Sequence, residues 1–147
     1  MNSIYERRYV GKDSSQLEEE FDLDYYIETK HKLFGNNPSH KLFVECFLNF
    51  FEDNQYVVLK MDEEVVIKAD TSTSRDYLKE NLILMEEDRG SFFINREGIS
   101  WAFLNKDYLV IILNQILMIS TKKENLDNVE KSLKKFNLEY YKPTKIN

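Results

Sequence analysis

ISWAFLNKDYLVIILNQILMI, from Ile99 to Ile119, is the most apolar run in the chain. Asn105-Lys106-Asp107 interrupts it once and Asn114-Gln115 interrupts it again. Asn and Asp tolerate turn conformations and hydrogen-bond their own backbone, so interruptions this short read as hairpin turns. The run then divides into three strands, Ser100–Leu104, Tyr108–Leu113 and Ile116–Ser120. They form a meander whose continuous middle strand is buried on both faces or nearly so. The rest of the chain reads as cover for that sheet.

The run is 21 residues long, enough to raise the question of a membrane span. Its five polar interruptions would be costly in lipid, so the expectation is no membrane segment. The N-terminus, MNSIYERRYVGKD, is charged and has no apolar centre, so it does not read as a secretory signal. At 147 residues the chain is expected to form a single domain, 1–147. A domain of that size buries roughly 70% of the surface of its unfolded chain and needs neither disulfide nor metal to fold. Cys46 is the only cysteine, which fits a reducing, cytoplasmic setting. Nothing beside it in sequence lowers its pKa, so it reads as a small core residue rather than a nucleophile.

Moving outward from the meander, Tyr56–Met61 and Val65–Ala69 read as a Val-rich hairpin about Asp62-Glu63. Thr73 and Asp76 open a helix-like stretch through Glu87, with Gly90 as its stop. Asn95-Arg96-Glu97-Gly98 reads as a loop feeding the meander. Thr121 with Glu124 fits a capping box, and Leu126, Val129, Leu133 and Phe136 then follow at helical spacing. A tail at Leu138–Tyr141 can add an edge strand before Pro143. Towards the N-terminus, Ser15 with Glu18 fits another capping box. From Phe21 the pattern becomes alternating, with Phe21, Leu23, Tyr25 and Ile27 on one face and Asp22, Asp24, Tyr26 and Glu28 on the other. Period two indicates a half-buried strand; a helix is the competing reading. Lys41–Phe51 fits either a strand pairing with residues 21–30 or a helix with a wide apolar stripe. The fold class is therefore α+β: a mainly antiparallel sheet, a C-terminal helix, and one or two further helices packed on it.

Charge distribution says more than the net charge of −6. Residues 13–28 hold seven acids and no Lys or Arg. Residues 121–147 hold seven Lys against four acids. Nucleic-acid binders carry basic stripes, so nucleic acid is not an expected ligand, whereas an acidic face complements a basic protein. No residue set forms a catalytic signature. The four Gly are scattered and cannot cradle a phosphate. His31 and His40 flank the Gly35–Ser39 loop with no acid between them, so no metal site and no cofactor are expected. The strongest candidate surface is a partner-binding one: Asp22, Asp24, Tyr25, Tyr26 and Glu28. There Tyr supplies rigid contact area and the acids complement Lys and Arg. The alternative is a small enzyme or ligand-binding domain with a site between sheet and helix. Its candidates are His31, His40, Glu45 and Trp101, although Trp101 at the start of the central strands reads as core.

In size, acidity, α+β make-up and lack of a catalytic motif, the chain resembles the small immunity proteins, or antitoxins, encoded beside bacterial polymorphic toxins. The resemblance implies a non-enzymatic, cytoplasmic toxin inhibitor that binds a basic toxin domain, such as a nuclease, one to one and occludes its active site.

Overall fold

In the computed structural model the described residues are 4–5, 7–30, 56–72, 99–113 and 116–146. The meander is formed as its sequence indicates. Strands β5 (Ile99–Leu104), β6 (Tyr108–Leu113) and β7 (Ile116–Thr121) pair antiparallel in sequence order. Asn105 makes the first turn: its Oδ1 accepts from the amides of Asp107 (2.8 Å) and Tyr108 (2.9 Å). That is the local capping for which Asn is favoured in turns. Leu109, Val110 and Ile112 are all buried, so β6 is covered on both faces.

The remaining described strands extend the sheet on either side. They are β1 (Ile4–Tyr5), β2 (Tyr25–Glu28), β3 (Tyr56–Asp62), β4 (Val65–Ser72) and β8 (Thr144–Lys145). All eight form one sheet in the order β1-β4-β3-β5-β6-β7-β2-β8, and every pairing is antiparallel. The β3–β4 hairpin turns one residue later than the sequence suggests. Glu63 and Glu64 occupy the turn with φ of 50° and 72°. Two successive left-handed residues suit a two-residue hairpin, because that turn follows the twist of the strands. The usual residues there are Asn and Gly, so a Glu-Glu turn gives no signal of its own.

Side-chain alternation along the strands produces two cores, one on each face. Val58, Phe103, Val110, Ile119 and Ile27 lie on one face. Helix α2 (Leu126–Lys135) covers that face with Val129 and Leu133, and Phe136 follows at its C-cap. On the other face lie Leu59, Met61, Ala102, Leu104 and Leu109, joined by Tyr9, Leu17 and Leu23 from the N-terminal segment. A short helix, α1 (Ser14–Glu20), carries Leu17 into that second core. The α+β class with an antiparallel sheet and a C-terminal helix is therefore observed.

Both helix starts differ from the expected capping boxes. The N-cap of α1 is Asp13, whose side chain accepts from Gln16 N (2.9 Å) while Gln16 Oε1 accepts from Asp13 N (2.9 Å). The box is thus D-x-x-Q, two residues upstream of Ser15-Glu18. Thr121 does not cap α2. It is the last residue of β7, and its hydroxyl donates to Asp107 O at 3.0 Å. A 3-10 turn, Lys123–Asn125, leads into α2 instead.

The two described helices end the same way. Asp22 (φ 55°) and Asn137 (φ 58°) each take the left-handed position after the last turn. Leu23 N donates to Glu18 O and Asp22 N to Glu19 O; Leu138 N donates to Leu133 O and Asn137 N to Lys134 O. This is the Schellman pattern of bonds, and the apolar residue that follows packs back onto the helix's own core.

The reading of residues 21–28 as one alternating strand is corrected at its start. The strand is only Tyr25–Glu28, and the Schellman turn at Asp22 reverses the chain before it. Leu23 consequently joins the α1-side core while Ile27 joins the α2-side core, so the four apolar residues do not share a face. Residues 41–51, and with them the expected pairing with 21–30, lie outside the described residues. One edge of β2 is taken by β7 and the other by β8. The tail strand is also displaced. Tyr140 makes a single bridge to Thr29, and the paired strand Thr144–Lys145 comes after Pro143, not before it. Proline has no amide to give the ladder, so Lys142-Pro143 bulges between the two pairings. The expected helix from Thr73 to Glu87, its Gly90 stop and the 95–98 loop lie outside the described residues. Among the described residues, no helix is long and apolar enough to cross a membrane.

Candidate functional site

The site is built where α1, β2 and the C-terminal tail meet. Burial of Leu17 fixes the rotation of α1. Glu18, one residue on, is brought against the sheet, and its Oε2 accepts from the Ser120 hydroxyl of β7 at 2.5 Å. Asp22 lies one helical turn beyond Glu18, in the left-handed position that stops the helix. Asp24 follows two residues later, just before β2.

Glu18, Glu19, Asp22 and Asp24 line one groove of about 440 Å³, together with Ser15, Leu23 and Ile146. Asp22 and Asp24 also line an adjoining groove of about 660 Å³, whose other walls are Lys122, Lys123, Glu124 and Asp127. The two aspartates are therefore a shared ridge. Among the described residues, ion pairs form at Lys12–Glu20 and Lys68–Asp70, and none neutralises the four groove carboxylates. Lys122 and Lys123 stand on the far wall of the adjoining groove. Burial raises the Glu18 pKa above the usual 4.5, and the charges of Glu64 and Asp13 push the same way against the Ser120 hydrogen bond.

The five residues expected to form one partner-binding face are separated by the strand geometry. Asp22 and Asp24 stand together on the ridge. Tyr26 and Glu28 point to the α1 side of the sheet, where Tyr26 sits directly across from Ser120. The Tyr26 hydroxyl donates to the Glu28 carboxylate. Burial, then this hydrogen bond and the charges of Glu28 and Glu18, raise the Tyr26 phenol far above its usual range, so it stays neutral. Tyr25, adjacent in a strand, must point to the opposite face. Its cross-strand neighbours are Thr121 and Lys145. Of the five, Asp22 and Asp24 thus share the ridge, Tyr26 and Glu28 form a hydrogen-bonded pair on the α1 side, and Tyr25 lies on the other side.

Glu18, Glu19 and Ile146 are the residues that sequence reasoning missed. The Glu18-Glu19-Glu20 run reads as solvated, and only the spacing of Glu18 to Asp22, one helical turn, places them together. Nothing in sequence brings Ile146 to Leu23, because the tail is separated from α1 by nearly the whole chain. For the alternative reading, Trp101 is half-buried against the α2-side core. His31, His40 and Glu45 lie outside the described residues, as does Cys46. Among the described residues, no His, Cys, Asp and Glu group is placed to hold a metal ion.

Carboxylates, one hydroxyl and two aliphatic side chains can desolvate and hold an ammonium or guanidinium group. No protein-family model, curated protein or solved structure matches this chain.

Proposed function

We propose that this chain is a binding protein that neutralises a basic protein partner, in the manner of an immunity protein acting on a toxin domain in the cytoplasm. It works by occupation of the partner's site and carries out no reaction of its own. The observation that carries this reading is the groove of Glu18, Glu19, Asp22 and Asp24, whose carboxylates have no cation paired with them among the described residues. Holding like charges together is unfavourable for the free protein, and a partner's Lys and Arg relieve it. A nuclease presents such residues to phosphate, and a carboxylate row fills the same site as a phosphate mimic. The long-range field also speeds encounter, which matters for an inhibitor that must outrun its target.

The test is capture with the tagged chain at low and moderate salt, alone and co-expressed with the product of the neighbouring upstream gene. One stoichiometric basic partner, toxic when expressed alone, is the expected result. Reversal of Glu19, Asp22 and Asp24 to Lys is expected to slow association with that partner at least about tenfold at low salt and less at high salt. An association rate unchanged by the triple reversal at low salt would remove this groove from the interface.

A further inference from the structure

The outer edge of β2 is covered by the chain's own tail, and the tail is held lightly. After α2 and its Schellman turn, Leu138 and Tyr140 still pack against the α2-side core. Beyond Tyr140, none of residues 141–146 is buried; Tyr141 is 54% exposed. This last segment is fixed by backbone pairing along residues 24–28. Tyr141 N donates to Glu28 O at 2.9 Å, Thr144 and Lys145 pair with Tyr26 and Tyr25, and Ile146 N donates to Asp24 O at 2.7 Å. Every one of these bonds falls on the acidic stretch that includes the ridge residue Asp24. The segment brings two lysines, Lys142 and Lys145, and no acid to it. Its Ile146 also forms a wall of the acidic groove.

The geometry points to a removable strap: residues 141–146 occupy the β2 edge as a stand-in for a partner's basic, extended segment, which displaces them and adds to β2 as a strand. This rests on the reading of the chain as a binder of a basic partner and specifies how that partner is held. The resident segment shows what the edge accepts, namely an extended backbone that carries lysines and no acid. Main-chain hydrogen bonds would hold the incoming strand and the charges would select it. Displacement also opens the groove at Ile146. In the free protein the tethered tail competes at a high effective concentration and guards an edge that would otherwise be open to indiscriminate pairing.

The test uses the intact chain and a variant truncated after Tyr140, which keeps the α2 cap and both core-packed tail residues. In native-state hydrogen exchange of the intact chain, the Tyr141 and Ile146 amides are expected to exchange at least about 100-fold faster than those of Val110 and Ile119. Exchange of all four at one rate, set by global unfolding, overturns the proposal. A synthetic peptide of residues 141–147 is then titrated into both proteins while the Asp24, Tyr26 and Glu28 signals are followed. The truncated chain is expected to bind it at least about tenfold more tightly than the intact chain, and a peptide with both lysines changed to Glu is expected to bind less. Equal affinity for the two proteins, or no shift at Tyr26 in the truncated chain at millimolar peptide, overturns it. If truncation unfolds the sheet, the exchange rates of the intact chain decide the matter. A failed capture of any basic partner, with exchange and peptide results as expected, counts against the partner and leaves the strap standing.

Discussion

Leu17→Ala tests what holds the acidic groove in place. Leu17 is fully buried and is the one core residue contributed by α1. Truncation removes three buried carbon atoms, about 2–3 kcal/mol of transfer free energy at ~0.8 kcal/mol each. Incomplete collapse of the cavity raises the cost to about 3–4 kcal/mol. A ceiling applies, because α1 has only seven residues and has no stability as an isolated helix. Once the cost exceeds the docking free energy of α1, the helix leaves the sheet while the sheet stays folded. The assay is urea unfolding with hydrogen exchange. A loss of about 3 kcal/mol lowers the midpoint by about 1.5 M at a slope near 2 kcal/mol/M. Asn128→Ala, on the exposed side of α2, serves as the control and should stay within about 0.5 kcal/mol. Local release of α1 would instead show as lost protection at the Phe21 and Leu23 amides, with Val110 unchanged. A loss under about 1 kcal/mol with full protection at Phe21 and Leu23 would refute the reasoning, since Leu17 would then not anchor the helix.

Glu18→Gln keeps an acceptor for Ser120 and removes a charge that the fold disfavours. The folded state binds the Glu18 proton more tightly than the unfolded chain does, so the charge lowers stability at neutral pH, and that penalty fades as pH falls through the raised folded-state pKa and is gone below about 4.5. The variant should melt higher than the parent at pH 7 and converge with it near pH 4; a lower melting point at pH 7 would contradict this. Asn137→Gly should stabilise the chain by about 0.5–1 kcal/mol by relieving a left-handed residue, measured by the shift in urea midpoint. Tyr140→Phe removes the hydroxyl that donates to Glu130 at 2.8 Å, at a cost of about 1 kcal/mol at pH 7. Burial and that carboxylate push the Tyr140 phenol up to about 12, so the parent should retain this contribution through pH 10 and lose it only as pH rises through the folded value.

Which parts of this fold were legible follows from where the information sits. The meander was readable because burial on both faces demands continuous apolar strands, and because Asn105 writes its turn chemistry locally. The α2 stripe was readable for the same reason, since one buried face at 3.6 spacing has few alternatives. Residues 21–28 misled because alternation is a statement about a straight strand. Asp22 breaks it by adopting a left-handed conformation that usually signals itself with Gly. The turn at Glu63-Glu64 escaped for the same reason. The groove was half legible: its acids stand out in composition, but their assembly depends on a helix stop, a buried leucine and a tail brought back from the other end of the chain.

Left-handed backbone positions favour Gly, yet among the described residues three such positions hold Asp22, Glu63 and Glu64. Each keeps a charge where a neutral, less strained residue would stabilise the chain. The charge of Glu64 raises the electrostatic cost of Glu18, and Asp22 adds its own charge to the groove ridge. A charged residue kept in a left-handed position on the groove ridge, as at Asp22, is the pattern expected where a surface role rather than stability sets the residue. Asp22→Gly separates the two contributions at a single position. The Schellman turn is preserved and improved, so the urea midpoint should rise, while loss of the ridge charge should slow capture of a basic partner. If Asp22→Gly raised stability and left that capture rate unchanged at low salt, the aspartate would be a helix stop and nothing more. The binding surface would then have to be sought on the Glu19 side of the groove.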